Sequence, residues 1–251
     1  MASADNPLSA RNLLAGILVT VVGGLILAMI IQDARFAPTA TTAATLAPTA
    51  PATPEIPPGY QLYDDFTAAR DWQDAWWPDD TGKMCNWEAS ESRLAFRCVN
   101  GSQADDAVAT LHARTDFDQT IGVAAVVMVA KAGGALELVM NFTCSTDNSR
   151  RAYHIAVDMR EARATEYFPQ PGPVWPMTVL GRTAIEPDRE HLLQLERSGD
   201  TIDFWVDRQN LALDTRPELP ACFGLTDWVI DLYVWKGGSP LEGAIHAVST
   251  R

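Results

Sequence analysis

Residues 228–235 read Trp-Val-Ile-Asp-Leu-Tyr-Val-Trp. Trp228, Ile230, Leu232 and Val234 alternate with Val229, Asp231, Tyr233 and Trp235. In an extended strand successive side chains point to opposite faces. The octapeptide therefore sends one apolar set into a core and a mixed aromatic and acidic set to the other face. The same period recurs upstream. Leu136, Leu138, Met140 and Phe142 alternate with Glu137, Val139 and Asn141. Tyr153, Ile155 and Val157 alternate with Ala152, His154 and Ala156, and Ile202, Phe204 and Val206 with Asp203, Trp205 and Asp207. Residues 121–129 are apolar nearly throughout, which predicts a strand covered on both sides. Turn signals separate these runs at Gly133-Gly134, Asp147-Asn148, Ser198-Gly199-Asp200 and Gly237-Gly238. Residues 60–251 show no long helical period, so this region is expected to be all-β, an antiparallel β-sandwich of about a dozen strands.

Outward from the strands, the N-terminal quarter changes character. From Leu13 to Ile31 the chain has nineteen uncharged, mostly apolar residues. A helix of that length nearly spans a hydrocarbon core of about 30 Å. The run is longer than the apolar region of a cleaved signal peptide, so residues 13–31 are expected to be an uncleaved single-pass anchor to the cell membrane. Residues 1–12 are then a short cytoplasmic N-terminus, and the C-terminal domain lies outside. Arg11 before the helix, against Asp33 and Arg35 after it, leans toward that orientation. Gly16, Thr20, Gly24 and Ala28 fall on one helix face, where a second copy could pack as a homodimer. Residues 32–59 form a linker, made from Ala37 onward of little but Ala, Pro and Thr. Such a stretch cannot bury enough apolar surface to fold, and proline biases it toward an extended polyproline stalk.

The chain has 251 residues and a formal net charge of −13. Residues 60–251 hold 17 basic and 29 acidic residues, a surface that repels nucleic acid and anionic headgroups. The four cysteines, Cys85, Cys98, Cys144 and Cys222, all lie beyond the apolar run. An even count on one side of a membrane suggests disulfides. Three pairings are possible. Cys85–Cys98 with Cys144–Cys222 is favoured, since the first pair brackets a hairpin-like stretch with a polar turn at 90–92.

Tyr63-Asp64-Asp65-Phe66, followed by Trp72, Trp76 and Trp77, resembles the opening of concanavalin A-like lectin and glucanase jelly rolls, a group that includes laminin G-like domains. The late hairpin, 191–197 and 201–207 about Ser198-Gly199-Asp200, is similar to one those domains carry. The resemblance covers most of residues 60–251. It implies a jelly-roll fold and a tendency to bind glycans. It also implies a place to look for catalysis, because the glucanases of the group use a Glu-x-Asp-x-Glu strand. Glu186-Pro187-Asp188-Arg189-Glu190 matches those letters. Its proline and arginine spacers, however, predict a solvated acidic turn.

No metal motif, nucleophile elbow or phosphate-cradling glycine loop occurs, and His112, His154, His191 and His246 read as sheet-face residues. No cofactor is expected, although Asp79-Asp80 and Asp105-Asp106 could contribute to a structural calcium site. The candidate ligand-binding residues are Trp205, Tyr233 and Trp235, on the polar side of their strands, with Asp231 and His154. Trp175, between prolines, is a second candidate. Flat aromatic faces beside hydrogen-bonding groups suit sugar rings or a protein hot spot. The expectation is a membrane-anchored extracytoplasmic module that binds carbohydrate. The alternatives are a glycoside hydrolase-like enzyme with a degenerate site, or a structural or sensory ectodomain that binds protein.

Overall fold

A computed structural model of the chain describes residues 55–67, 71–80, 83–90, 92–114, 120–168 and 176–251. The expected membrane helix with its small-residue face, most of the linker, and Trp175 lie outside these residues. Among the described residues no helix is long and apolar enough to cross a membrane.

The alternating segments form the expected strands. The described residues begin with β1 (Gln61–Asp64), one helical turn α1 (Trp72–Ala75), β2 (Trp76–Asp79), β3 (Cys85–Ser90), β4 (Arg93–Cys98) and β5 (Ala107–Ala113). Then come β6 (Gly122–Ala132), β7 (Gly134–Cys144), β8 (Arg150–Val157), β9 (Glu161–Tyr167) and β10 (Met177–Ala184). The last are β11 (His191–Ser198), β12 (Thr201–Val206), β13 (Gln209–Asn210), β14 (Phe223–Val234) and β15 (Leu241–Thr250). The count exceeds a dozen because β1, β2 and β13 have four, four and two residues, too few for alternation to show. One sheet runs β13-β12-β11-β6-β15-β4-β3, with β1 also paired to β15. The other runs β10-β9-β8-β7-β14-β5-β2. Neighbouring strands are antiparallel in both, for example β14 with β7 and β15 with β6. The described residues thus form an all-β jelly-roll sandwich.

Its core lies between the sheets and is filled by the alternating set named above. Leu136, Leu138, Met140 and Phe142 of β7 meet Trp228, Ile230, Leu232 and Val234 of β14, all buried. They face Val123, Ala125 and Val127 of β6 and Leu193 and Leu195 of β11 across the sandwich. Strand β6 is buried on its other side as well, where Ala124 and Val126 share a small gap with Ile56 and Pro57. Residues 55–59, read from composition as the end of the linker, therefore belong to the folded unit. Ile56 and Pro57 supply the apolar surface that the Ala/Thr stretch before them lacks.

The Tyr-Asp-Asp-Phe segment owes its spacing to Trp76. The indole Nε1 of this fully buried residue donates to Asp64 Oδ2 at 2.9 Å. Asp64 Oδ1 accepts the backbone N–H of Phe66 at 2.8 Å, holding Phe66 at a φ of 52°. An aspartate two residues back is what stabilises such a left-handed turn in a non-glycine residue. Phe66 then stacks on Trp76, while Tyr63 and Trp228 present their edges to it at 5.2 and 5.5 Å.

Both favoured disulfides are present. Cys85–Cys98 links directly opposed residues of β3 and β4, and Cys144–Cys222 ties the end of β7 to the segment before β14. Asn100, which opens the glycosylation-type sequence Asn100-Gly101-Ser102, is buried, and its amide donates to the carbonyls of Asp105 and Val234. That side chain is a loop clamp.

Candidate functional site

The outer face of the β10-to-β2 sheet carries the second alternating set. Thr110 and His112 of β5, Asp227, Asp231 and Tyr233 of β14, Glu137 and Asn141 of β7, His154 of β8 and Tyr167 of β9 line one groove of about 360 Å³. It crosses five adjacent strands, a span of about 19 Å at the usual strand spacing. Its floor is apolar and closed. Val139, Ala152 and Val229 are buried there, with Tyr167 packed over them. Trp77, 54% exposed, stacks on His112 at 5.1 Å and extends the aromatic rim at one end.

The polar groups above this floor are arranged in pairs. Register sets Asp231 directly opposite Glu137 on one side and Thr110 on the other. Thr110 Oγ1 donates to Asp231 Oδ1 at 2.6 Å. Glu137 Oε2 hydrogen-bonds His154 Nδ1 at 2.8 Å, and the His154 ring leans on Tyr167 at 4.3 Å. Burial drives the Asp231 carboxyl up to about 6, with the hydrogen bond from Thr110 pulling the other way. Burial also raises the Tyr167 phenol to about 12, helped by the negative charge of Glu137. At the rim Tyr233 donates to Asp106 Oδ2 at 2.9 Å, while Asp106 Oδ1 accepts the Lys236 backbone N–H. These two hydrogen bonds hold the Asp106 carboxyl below its ordinary range.

Three of the residues expected from sequence, Asp231, Tyr233 and His154, are brought together here. Trp235 follows β14 by one residue, 38% exposed, with its N–H on the Gly133 carbonyl. Trp205 does not join them. It lies on β12, which belongs to the opposite sheet, so a single face shared by Trp205, Tyr233 and Trp235 does not exist. Alternation assigns a residue to a face of its own strand but does not say which sheet that strand enters. Glu137, Thr110, His112 and Tyr167 were not anticipated. One signal was available, since Glu137 is the single acid of β7 and stands in its outward register.

The Glu186–Glu190 pentapeptide is the expected exposed turn. Glu186 pairs with Arg189 at 3.0 Å and Glu190 with His246 at 3.3 Å, so the two carboxylates face no common cleft. His191 is a structural residue. It is buried, with Nδ1 on Asp207 at 2.7 Å and Nε2 on the Glu186 carbonyl at 2.8 Å. Of the acidic pairs considered for calcium, one carboxylate of each has hydrogen-bond partners. Asp80 takes the N–H groups of Met84 and Cys85, and Asp106 is engaged as described. Among the described residues no group of three or more His, Cys, Asp or Glu is placed to hold a metal ion.

No protein-family model and no curated protein matches this chain. Solved structures do. A glycoside hydrolase family 16 endo-glucanase from Bacteroides ovatus superposes with a TM-score of 0.53 at 9% identity, over 75% of this chain and 98% of that one. A kappa-carrageenase from Pseudoalteromonas carrageenovora, solved with an oligotetrasaccharide of kappa-carrageenan, gives 0.51 at 11% identity, over 80% and 98%. LamA from Z. galactanivorans, solved with laminaritriose and laminaritetraose, gives 0.51 at 10%, over 76% and 98%. The likeness is one of fold, and the fold is the concanavalin A-like jelly roll.

Proposed function

We propose that this chain is a membrane-anchored extracytoplasmic module that binds an oligosaccharide in the groove of the β10-to-β2 sheet. The carrying observation is the groove itself. It has a buried apolar floor of Val139, Ala152 and Val229, aromatic walls from Tyr167 and Tyr233, and hydrogen-bonding groups at fixed positions. Sugar rings present apolar faces and hydroxyl edges, and such a lining satisfies both at once. The groove crosses several strands, which suits a chain of rings better than one monosaccharide. Two solved proteins of the same fold hold oligosaccharides, which supports this ligand class. In this reading residues 13–31 hold the protein in the cell membrane and the stalk presents the sandwich outward. Pairing through Gly16, Thr20, Gly24 and Ala28 would display two grooves together.

A second reading, glycoside hydrolysis, is favoured by one observation: Asp231 and Glu137 stand directly opposite on adjacent strands, and the first is raised toward neutrality. That is the kind of split an acid and a nucleophile need. Binding is the stronger reading because Glu137 is already engaged by His154 and Asp231 by Thr110.

A glycan array probed with the full-length chain in detergent tests the proposal. Tyr233→Ala and Trp77→Ala are each expected to weaken the best glycan by about tenfold, the scale of a well-placed aromatic contact. Unchanged binding by both variants would move the site elsewhere. Release of new reducing ends, abolished by Asp231→Asn, would establish the hydrolytic reading instead.

A further inference from the structure

The groove is acidic. Its lining holds the carboxylates of Glu137, Asp227 and Asp231 and no lysine or arginine. Each carboxylate is accounted for differently. Glu137 has a histidine partner and Asp231 a hydroxyl. Asp227 has one oxygen, Oδ1, buried with no hydrogen-bond partner among the described residues. Cations do lie near the groove, but they are turned to other work. Arg163, on the outer register of β9, lies 3.4 Å from Glu161 as an ion pair, its Nε making no hydrogen bond among the described residues, and Lys236 reaches the Ala104 carbonyl. The two histidines of the lining are also engaged, His154 with Glu137 and His112 beneath Trp77. Negative charge in the wall thus outweighs positive charge, inside a chain whose formal net charge is −13.

A neutral sugar leaves that imbalance as it is. An anionic sugar worsens it, because like charges held close in a recessed site repel strongly. A free amine corrects it. An ammonium placed over the strand-to-strand junction of β7 and β14 would meet Asp231 and Glu137 together, with Asp227 four residues back along β14 on the same face. We infer that the groove selects cationic glycans, oligosaccharides carrying unacetylated amino groups, over neutral ones and excludes uronates and sulfated sugars. This inference rests on the carbohydrate reading above and adds its charge class.

The test compares four hexasaccharides of one linkage, β-1,4-linked glucosamine, N-acetylglucosamine, glucose and glucuronate, by calorimetry on the full-length chain in detergent. The glucosamine chain is expected to bind about tenfold or more tighter than the glucose chain, and the glucuronate chain not at all. The advantage should shrink as salt rises, since screening acts on the charged part alone. It should fall severalfold in Asp231→Asn and in Asp227→Asn, each first shown to be folded by a cooperative unfolding transition. An attraction of a polycation to the acidic surface at large would survive the loss of one charge, so persistence of the full preference in both variants overturns the inference. Equal binding of the glucosamine and glucose chains overturns charge selection and leaves the carbohydrate reading standing. Binding of the glucuronate chain at least as tight as glucosamine does the same. Failure of all four chains to bind overturns both.

Discussion

Replacing Trp76 with alanine is expected to destabilise the protein by about 4 kcal/mol, the upper range for emptying a large buried site. The indole is fully buried and touches three other aromatic rings, so neighbours cannot collapse into the space without losing their own contacts. Its loss also leaves Asp64 Oδ2 without its donor, and Asp64 is itself buried. A buried acceptor stripped of its partner costs about 1–3 kcal/mol by itself. Trp76→Phe separates the two contributions, since it keeps much of the ring and removes the N–H. Urea unfolding of the parent, Trp76→Ala, Trp76→Phe and Asp64→Asn measures both. A loss below about 1 kcal/mol for Trp76→Ala would mean the aromatic cluster is loosely packed. The substitution should reach the groove too, because Trp77 is the next residue and takes its direction from the same strand.

The second large effect has the opposite sign. Asp231→Asn is expected to stabilise the protein at neutral pH. Burial raises this carboxyl from 3.8 to about 6 in the folded state. Between those values the folded protein holds a proton that the unfolded chain has released. Stability therefore falls as pH rises through the window, and above about pH 6 the folded state carries the full cost of the buried charge. Below about pH 4 the group is neutral in both states and contributes nothing. The isosteric amide can keep the oxygen that Thr110 donates to and never ionises. The gain at pH 7–8 should reach at most about 3 kcal/mol, and it should vanish toward pH 4. Denaturant melts of parent and variant across this range decide the matter. A variant less stable than the parent at pH 8 would show that the carboxylate is compensated. A stability cost kept at one residue is what a binding site predicts and a purely structural sheet face does not.

The sandwich was legible because its evidence is local. The alternation of residues 228–235 fixes which of their side chains meet the core, whatever strand lies beside them. The disulfides were legible for a related reason, since Cys85 and Cys98 sit at matched distances from one turn. The groove was half legible. Asp231, Tyr233 and His154 announce an outward polar face, but their meeting with Glu137 and Thr110 depends on register between strands far apart in sequence. Trp205 shows the limit. Its strand has the same pattern as β14 and joins the other sheet, a choice made by connection and pairing that no residue near Trp205 encodes.

Strand β15, the last in the described chain, is not at an edge. It lies between β6 and β4 and is hydrogen-bonded to both, with β1 also on its register. Without it this sheet is two unjoined parts, β6 with β11 to β13 on one side and the β3–β4 hairpin on the other. The hairpin alone is too small to be stable in water. Its cross-strand disulfide ties the two strands of that ribbon together, and residues 241–250 join it to β6. Loss of residues 241–250 would therefore leave two fragments of sheet with no seam between them.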